Sequence, residues 1–175
     1  MNKTLIIYST IDGQTLSICQ KIKNILDGSA EVELVALSDF SAKYIQYYDE
    51  IILGASIRYG KHRPEVHKFV EAHREVLEKK RTAFFSVNVV ARKSNKNTPE
   101  TNPYIKKFLK TTSWRPNYLA VFAGKIDYPK YGFFDKQMIR LIMYITKGPT
   151  GTKGVYEFTD WKMVEKFAQN ISMGR

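Results

Sequence analysis

Short β-branched runs alternate along the chain with longer stretches whose apolar residues recur every three or four positions, the pattern of an α/β fold. Thr4-Leu5-Ile6-Ile7-Tyr8 reads as a buried strand, followed by the polar turn Ser9 to Gln14. From about Thr15 to Leu26, Ile18, Ile22, Ile25 and Leu26 share one helical face, and Gly28 marks the end. Cys19 borders that face, which makes it a core thiol rather than a nucleophile. Val32 to Leu37 supplies a second strand. Ile51 to Ala55 supplies a third, apolar almost throughout, as in strands covered by helices on both faces. Pro64 can open the next helix, because its missing N–H costs nothing in a first turn; Val66, Phe69, Val70, His73 and Leu77 form its inward stripe. A fourth strand, Ala83 to Val90, leads through a polar loop to a helix near Tyr104 to Lys110, then to a fifth strand, Leu119 to Ala123. Trp161, Val164, Phe167, Ala168 and Ile171 mark a closing helix.

Residues 125–154 are surplus to that scheme and too long for a plain connection in a compact domain. Within them Phe133 to Ile145 reads as a helix with Phe134, Met138, Leu141, Ile142 and Ile145 on one face, and Lys130, Lys136, Arg140 and Lys147 around it. We expect a single domain over 1–175 carrying this segment as an insertion. A helix of that length spans roughly 20 Å, short for a membrane crossing but suited to lying in a membrane interface. The competing reading packs the same face on the protein's own sheet.

Composition narrows the class. Apolar residues at 43% and charged residues at 26% are enough for one globular core and exclude a disordered, collagen-like or disulfide-stapled chain. The lone Cys19 cannot close an intramolecular disulfide and fits a reducing compartment. Leu5 to Tyr8 is too short for a signal-peptide core, and no apolar run approaches the ~20 residues of a membrane span. The expectation is a soluble or peripheral protein.

Charge adds an address. The net charge is +11, of which residues 92–153 alone carry +10, with 13 basic against 3 acidic side chains. Such a block favours an anionic partner, whether nucleic acid, a phospholipid surface or an acidic small molecule; the plain alternative is a solvated basic face.

The candidate chemistry sits at strand ends. The turn Ser9 to Thr15 opens the first helix, where free N–H groups, the positive dipole end and hydroxyls from Thr10 and Thr15 suit one phosphate, and Gly13 permits close backbone approach. An ordinary turn capped by Asp12 is the alternative. Neither the dinucleotide glycine fingerprint nor the triphosphate loop is present. The third strand ends in Gly54-Ala-Ser-Ile-Arg-Tyr-Gly60 and the fourth in Ser86-Val-Asn-Val-Val-Ala91, small and amide-bearing segments that suit a flat heteroaromatic ring, with Tyr59 able to stack on it. His62, His67 and His73 are spaced by five and six, which is no metal-ligand pattern; His62, the one near the pocket, is expected at the solvent surface.

These segments, together with Thr98-Pro-Glu-Thr-Asn, Trp114-Arg-Pro, Phe134-Asp-Lys-Gln-Met-Ile-Arg-Leu-Ile-Met and Thr159-Asp-Trp, resemble the bacterial flavodoxin-like, menaquinone-dependent protoporphyrinogen oxidases over nearly the whole chain. The resemblance implies a flavodoxin-like, doubly wound, five-stranded parallel sheet in the order 2-1-3-4-5, a long-chain insertion in the last strand, and a non-covalent FMN. By analogy Ser9, Thr10, Asp12, Gly13, Gln14 and Thr15 hold the FMN phosphate, while Ser56, Ile57, Arg58, Tyr59, Gly60, Asn88, Val89, Val90 and Ala91 flank the isoalloxazine. Asp12 stands where flavodoxins usually carry a hydroxyl; as a carboxylate it would repel phosphate, so it is expected to face a backbone N–H.

The implied reaction is oxidation of protoporphyrinogen IX, in haem biosynthesis, with menaquinone or ubiquinone as acceptor, at the cytoplasmic face of an anionic inner membrane. Arg58, Arg92 and Lys93 are candidates to pair with the substrate's propionates, and Phe134, Met138, Leu141, Ile142 and Ile145 to touch membrane or quinone. No metal and no nucleic acid are expected. Two alternatives stand beside this: a general FMN-dependent quinone reductase, and a basic nucleic-acid-binding module using Tyr104 and Trp114 as stacking platforms.

Overall fold

The computed structural model describes residues 1–175. Five parallel strands, β1 (Asn2–Ser9), β2 (Ala30–Ala36), β3 (Glu50–Arg58), β5 (Arg81–Val87) and β6 (Tyr118–Phe122), lie in the order β2-β1-β3-β5-β6. Counted as parallel strands alone this is 2-1-3-4-5, the expected order. The two-residue strand β4 (Lys61–His62) folds back on β3.

Strand alternation sends consecutive side chains to opposite faces, and both faces are covered. Leu5, Ile7, Ile51, Leu53 and Phe84 join α2 (Pro64–Ala72), α3 (Arg74–Lys79) and α4 (Pro103–Thr112) in one core. Ile6, Ile52, Ala83 and Phe85 join α1 (Gln14–Leu26) and α6 (Trp161–Met173) in the other. This is why the strands read as unbroken apolar runs. Gly54 is required where the second core crosses β3, because a Cβ there would stand 2.3 Å from the Phe85 ring. Cys19 is fully buried and desolvation raises its thiol pKa, as befits a core residue.

One helix differs from expectation. The stretch from Pro64 to Leu77 breaks at His73, which closes α2 with its backbone N–H and its Nδ1 directed at the Phe69 carbonyl and then starts α3. His73 is half-buried at that joint.

After β6 the chain makes β7 (Lys125–Asp127) and α5 (Phe133–Ile145) and returns through β8 (Val155–Glu157), which pairs antiparallel with β7. Ile126, Tyr128, Tyr131 and Met143 form a small core of their own beneath α5. No helix is long and apolar enough to cross a membrane.

Candidate functional site

The carboxyl ends of β1, β3, β5 and β6 open into a cleft, where an open parallel sheet offers space to a ligand. Its inner end is the turn between β1 and α1. Gly13 occupies the helix N-cap in the left-handed region at φ +87 and supplies no side-chain cap, so the first N–H groups of α1 are left for another partner. Gly13 N–H donates to Thr10 Oγ1 at 3.0 Å. Asp12 faces the Arg58 guanidinium at 2.9 Å, not a backbone N–H, and also accepts from the Tyr131 hydroxyl at 3.5 Å. The arginine neutralises the carboxylate that would otherwise oppose an anion in this turn, although burial in the cleft wall outweighs the arginine and raises the Asp12 pKa.

The second wall is the hairpin β3–β4. Ile57 pairs with His62 and Arg58 with Lys61, leaving Tyr59 and Gly60 as a two-residue turn with φ of 50 and 78. Two left-handed residues make the turn that matches strand twist. Glycine adopts it freely while Tyr59 carries strain. The tyrosine is half-exposed and lines the cleft, free to cover a ring bound there.

The third wall follows β5. Asn88 Oδ1 accepts from Ala91 N–H and from Asn102 Nδ2, each at 3.1 Å, and Asn88 Nδ2 donates to Ser86 Oγ at 3.3 Å. Ser86 Oγ in turn meets His62 Nε2 at 2.9 Å, and Asn102 Oδ1 caps α4. This buried network fixes the turn at Val89–Arg92 against the cleft. His62 is therefore a buried residue, contrary to the surface position expected of it; burial, then the neighbouring His67, pushes its pKa down to about 3 and keeps it neutral.

The insertion makes the outer wall. Ile139, Ile142 and Met143 of α5 face the cleft with Ile126 and Tyr131. Two arginines hold the helix there. Arg58 Nη2 reaches Asp135 in its first turn at 3.2 Å, and Arg92 donates to Val89 O at 2.9 Å, to Thr146 O at 2.8 Å and to Thr146 Oγ1 at 3.0 Å past its last turn. Arg58 is thus paired with two carboxylates of the protein, whereas Arg92 is tied to carbonyl and hydroxyl oxygens, without a carboxylate, and lies outside the cleft lining. Lys93 has no ion-pair partner but lies outside the cleft lining.

Residues 5–153 match the flavodoxin domain family. The chain belongs to that family. Protoporphyrinogen IX dehydrogenase [quinone] of Escherichia coli strain K12 is 40% identical over 171 residues, covering 97% of this chain and 94% of its own. A Leishmania major protein of the same name is 40% identical over 172 residues, covering 97% and 74%. The fold alone is shared with oxidised Flavodoxin 1 of Bacillus cereus, at TM-score 0.54, 16% identity and coverage of 98% and 95%, and with a Streptococcus pneumoniae flavodoxin, at TM-score 0.55, 11% identity and coverage of 99% of each chain.

Membership implies a flavin, and the cleft fits one. The hydroxyls of Ser9, Thr15 and Ser56 are buried without a hydrogen-bond partner. Such orphans are uncommon in folded proteins, and two of these three belong to the turn whose helix terminus favours an anion. Of the residues singled out from sequence, Thr10, Asp12, Gln14, Thr15, Ser56 through Gly60 and Asn88 through Val90 line the cleft, while Ser9, Gly13 and Ala91 stand behind its lining.

Sequence reasoning missed the outer wall. Tyr104, Lys125, Ile126, Tyr131, Ile139 and Met143 also line the cleft. It grouped Ile142 with Phe134, Met138, Leu141 and Ile145 as one stripe touching membrane or quinone, whereas Ile142 lines the cleft and the other four do not. The signal was present: Ile139, Ile142 and Met143 lie three and four apart on a helix that is apolar on two sides, and periodicity alone does not say which side turns inward. Phe134, Met138, Leu141 and Ile145 do lie on the exposed side.

Proposed function

We propose that this oxidoreductase oxidises protoporphyrinogen IX to protoporphyrin IX in successive two-electron rounds, using FMN and passing the reducing equivalents to a respiratory quinone, as a step of haem formation. The observation that carries the reading is the apolar outer wall made by the insertion: the cleft runs past the phosphate turn and the strand ends to Ile126, Ile139, Ile142 and Met143, surface suited to a hydrophobic macrocycle or quinone. The relatives' names supply the substrate class. FMN is favoured over larger flavin nucleotides by a single phosphate turn with no dinucleotide fingerprint.

The bound flavin supplies the two-electron redox chemistry. The protein's part is to hold and shield it: the α1 terminus and hydroxyls take the phosphate, the Asn88 network fixes the Val89–Arg92 turn, Tyr59 covers, and α5 keeps water from the outer cleft. His62 is held neutral behind Ser86 and carries no charge to the ring.

The same reading places the protein at the cytoplasmic face of an inner membrane. Phe133, Phe134, Tyr144 and Ile145 are each at least 69% exposed on one short helix, beside Lys136 and Arg140. Aromatic and basic side chains together suit an anionic bilayer interface. The test is anaerobic mixing of the flavin-loaded protein with protoporphyrinogen IX, followed by menaquinone or ubiquinone. Flavin bleaching by the tetrapyrrole and recovery with quinone are expected; bleaching by a nicotinamide donor and not by the tetrapyrrole would instead favour a general quinone reductase.

A further inference from the structure

On the far side of the Tyr59–Gly60 hairpin lies a second recess. It shares Ile57, Gly60 and Tyr104 with the flavin cleft, and Lys61, His62, His67, Lys107 and Phe108 complete its lining. Its position is fixed by three elements. The β3–β4 register sets Lys61 opposite Arg58, α2 carries His67, and Tyr104, Lys107 and Phe108 share one face of α4, whose start is pinned by Asn102. The His67 ring packs 4.9 Å from that of Phe108.

The recess carries charge without a counter-charge. Arg58 faces the carboxylates of Asp12 and Asp135, and Arg92, outside the cleft lining, is tied to backbone carbonyls. Lys61 and Lys107 take part in none of the ion pairs, and no carboxylate lines the recess. Burial, then the Lys107 charge, lowers the His67 pKa. Two lysines at one recess with no carboxylate beside them suit an anion, and a carboxylate bound there would favour the protonated form of His67.

We infer that the recess of Lys61, His67 and Lys107 is an anion subsite that receives a carboxylate of the substrate while its ring system occupies the adjoining cleft. The inference rests on the tetrapyrrole reading above and names the residues that select for the free acid. Ile57, Gly60 and Tyr104 border both spaces, so a side arm of a molecule in the cleft need only reach past them. Anchoring a propionate there fixes which part of the macrocycle faces the flavin, and an esterified analogue loses the anchor. Lysine suits this role as a strongly hydrated point charge with three donors that adapt to a flexible chain.

The experiment is titration of flavin-loaded protein with protoporphyrin IX and with its dimethyl ester, followed by absorbance, for the wild type, Lys61→Gln, Lys107→Gln, Lys107→Arg and the distant control Lys153→Gln. Each glutamine variant is expected to bind the acid roughly tenfold more weakly, about 1.4 kcal/mol, with the ester unaffected, Lys107→Arg largely restored and Lys153→Gln like the wild type. The acid, and not the ester, should also raise the His67 titration followed by NMR of the imidazole. Equal weakening for acid and ester, or none for either, overturns the subsite. So does loss of flavin absorbance in Lys107→Gln, which would give the recess to the cofactor. A wild type that binds the acid alongside variants that match it refutes the subsite alone; a flavin-loaded wild type that binds neither probe refutes the tetrapyrrole function with it.

Discussion

Arg58 Nη2 donates to Asp135 Oδ2 at 3.2 Å, tying the end of β3 to the first turn of α5, while Nη1 of the same arginine holds Asp12. The arginine side chain is only 16% exposed and the aspartate 41%, so the pair is partly solvated and worth about 0.5–1 kcal/mol. Asp135→Asn should therefore loosen the helix without unfolding the domain. Amide exchange across α5 should quicken roughly two- to fivefold, with flavin content unchanged. Slowed or unaltered exchange would show that the tie does not hold the helix down.

Gly13 makes a sharper test of the phosphate turn. An added Cβ meets nothing within 4 Å, so crowding by the fold is not at issue; the left-handed backbone is. Gly13→Asn should keep its flavin, since asparagine tolerates that region. Gly13→Val should pay about 1–3 kcal/mol in strain or lose the turn, with flavin affinity down at least tenfold by fluorescence of the released cofactor. Equal retention by both variants would contradict the assignment.

His62 gives a pH dependence with a definite sign. Its folded pKa of about 3 lies below the ordinary 6.5, so the unfolded chain takes up a proton first as pH falls. The stability tied to its neutrality is full above pH 6.5 and drains away toward pH 3, by at most about 1.4 kcal/mol per pH unit. Urea denaturation of His62→Gln, which keeps a polar partner for Ser86, should show a shallower loss over that interval than the wild type. Parallel curves for the two proteins would refute the buried neutral imidazole.

The two sides of α5 should separate in mutagenesis. Phe134→Glu or Ile145→Glu, both on the exposed side, should reduce pelleting with anionic vesicles while melting temperature and flavin content hold. Ile142→Asp places a charge in the cleft wall next to buried Met143 and should instead impair tetrapyrrole turnover or the local fold. Vesicle binding unaffected by either exposed substitution would remove the membrane from the account.

The sequence carried the framework because the framework is periodic. The unbroken apolar runs of β1 and β3 and the three-four spacing in α1 report burial directly, and the strand-end segments could be placed at the cleft from topology alone. Pairing is another matter. Nothing in the local pattern says that Arg58 spends its charge on Asp12 and Asp135, positions 46 and 77 residues away, or that Arg92 reaches past the end of α5. His62 looked like a loop residue because its burial comes from Phe84 and Phe108, which approach it only in three dimensions. A helix apolar on two sides leaves its inward face undecided until its neighbours are known.

Lys125 pairs with Glu157, and the Phe158 N–H closes on the Gly124 carbonyl at 3.0 Å, so the insertion leaves and rejoins the framework at one point. To the sheet the whole excursion is equivalent to a tight turn. Its length enters the folding free energy only logarithmically, and it carries its own small core. The outer wall can consequently be lengthened or reshaped at little cost to the sheet, provided the Arg58 and Arg92 ties that seat α5 over the cleft are kept.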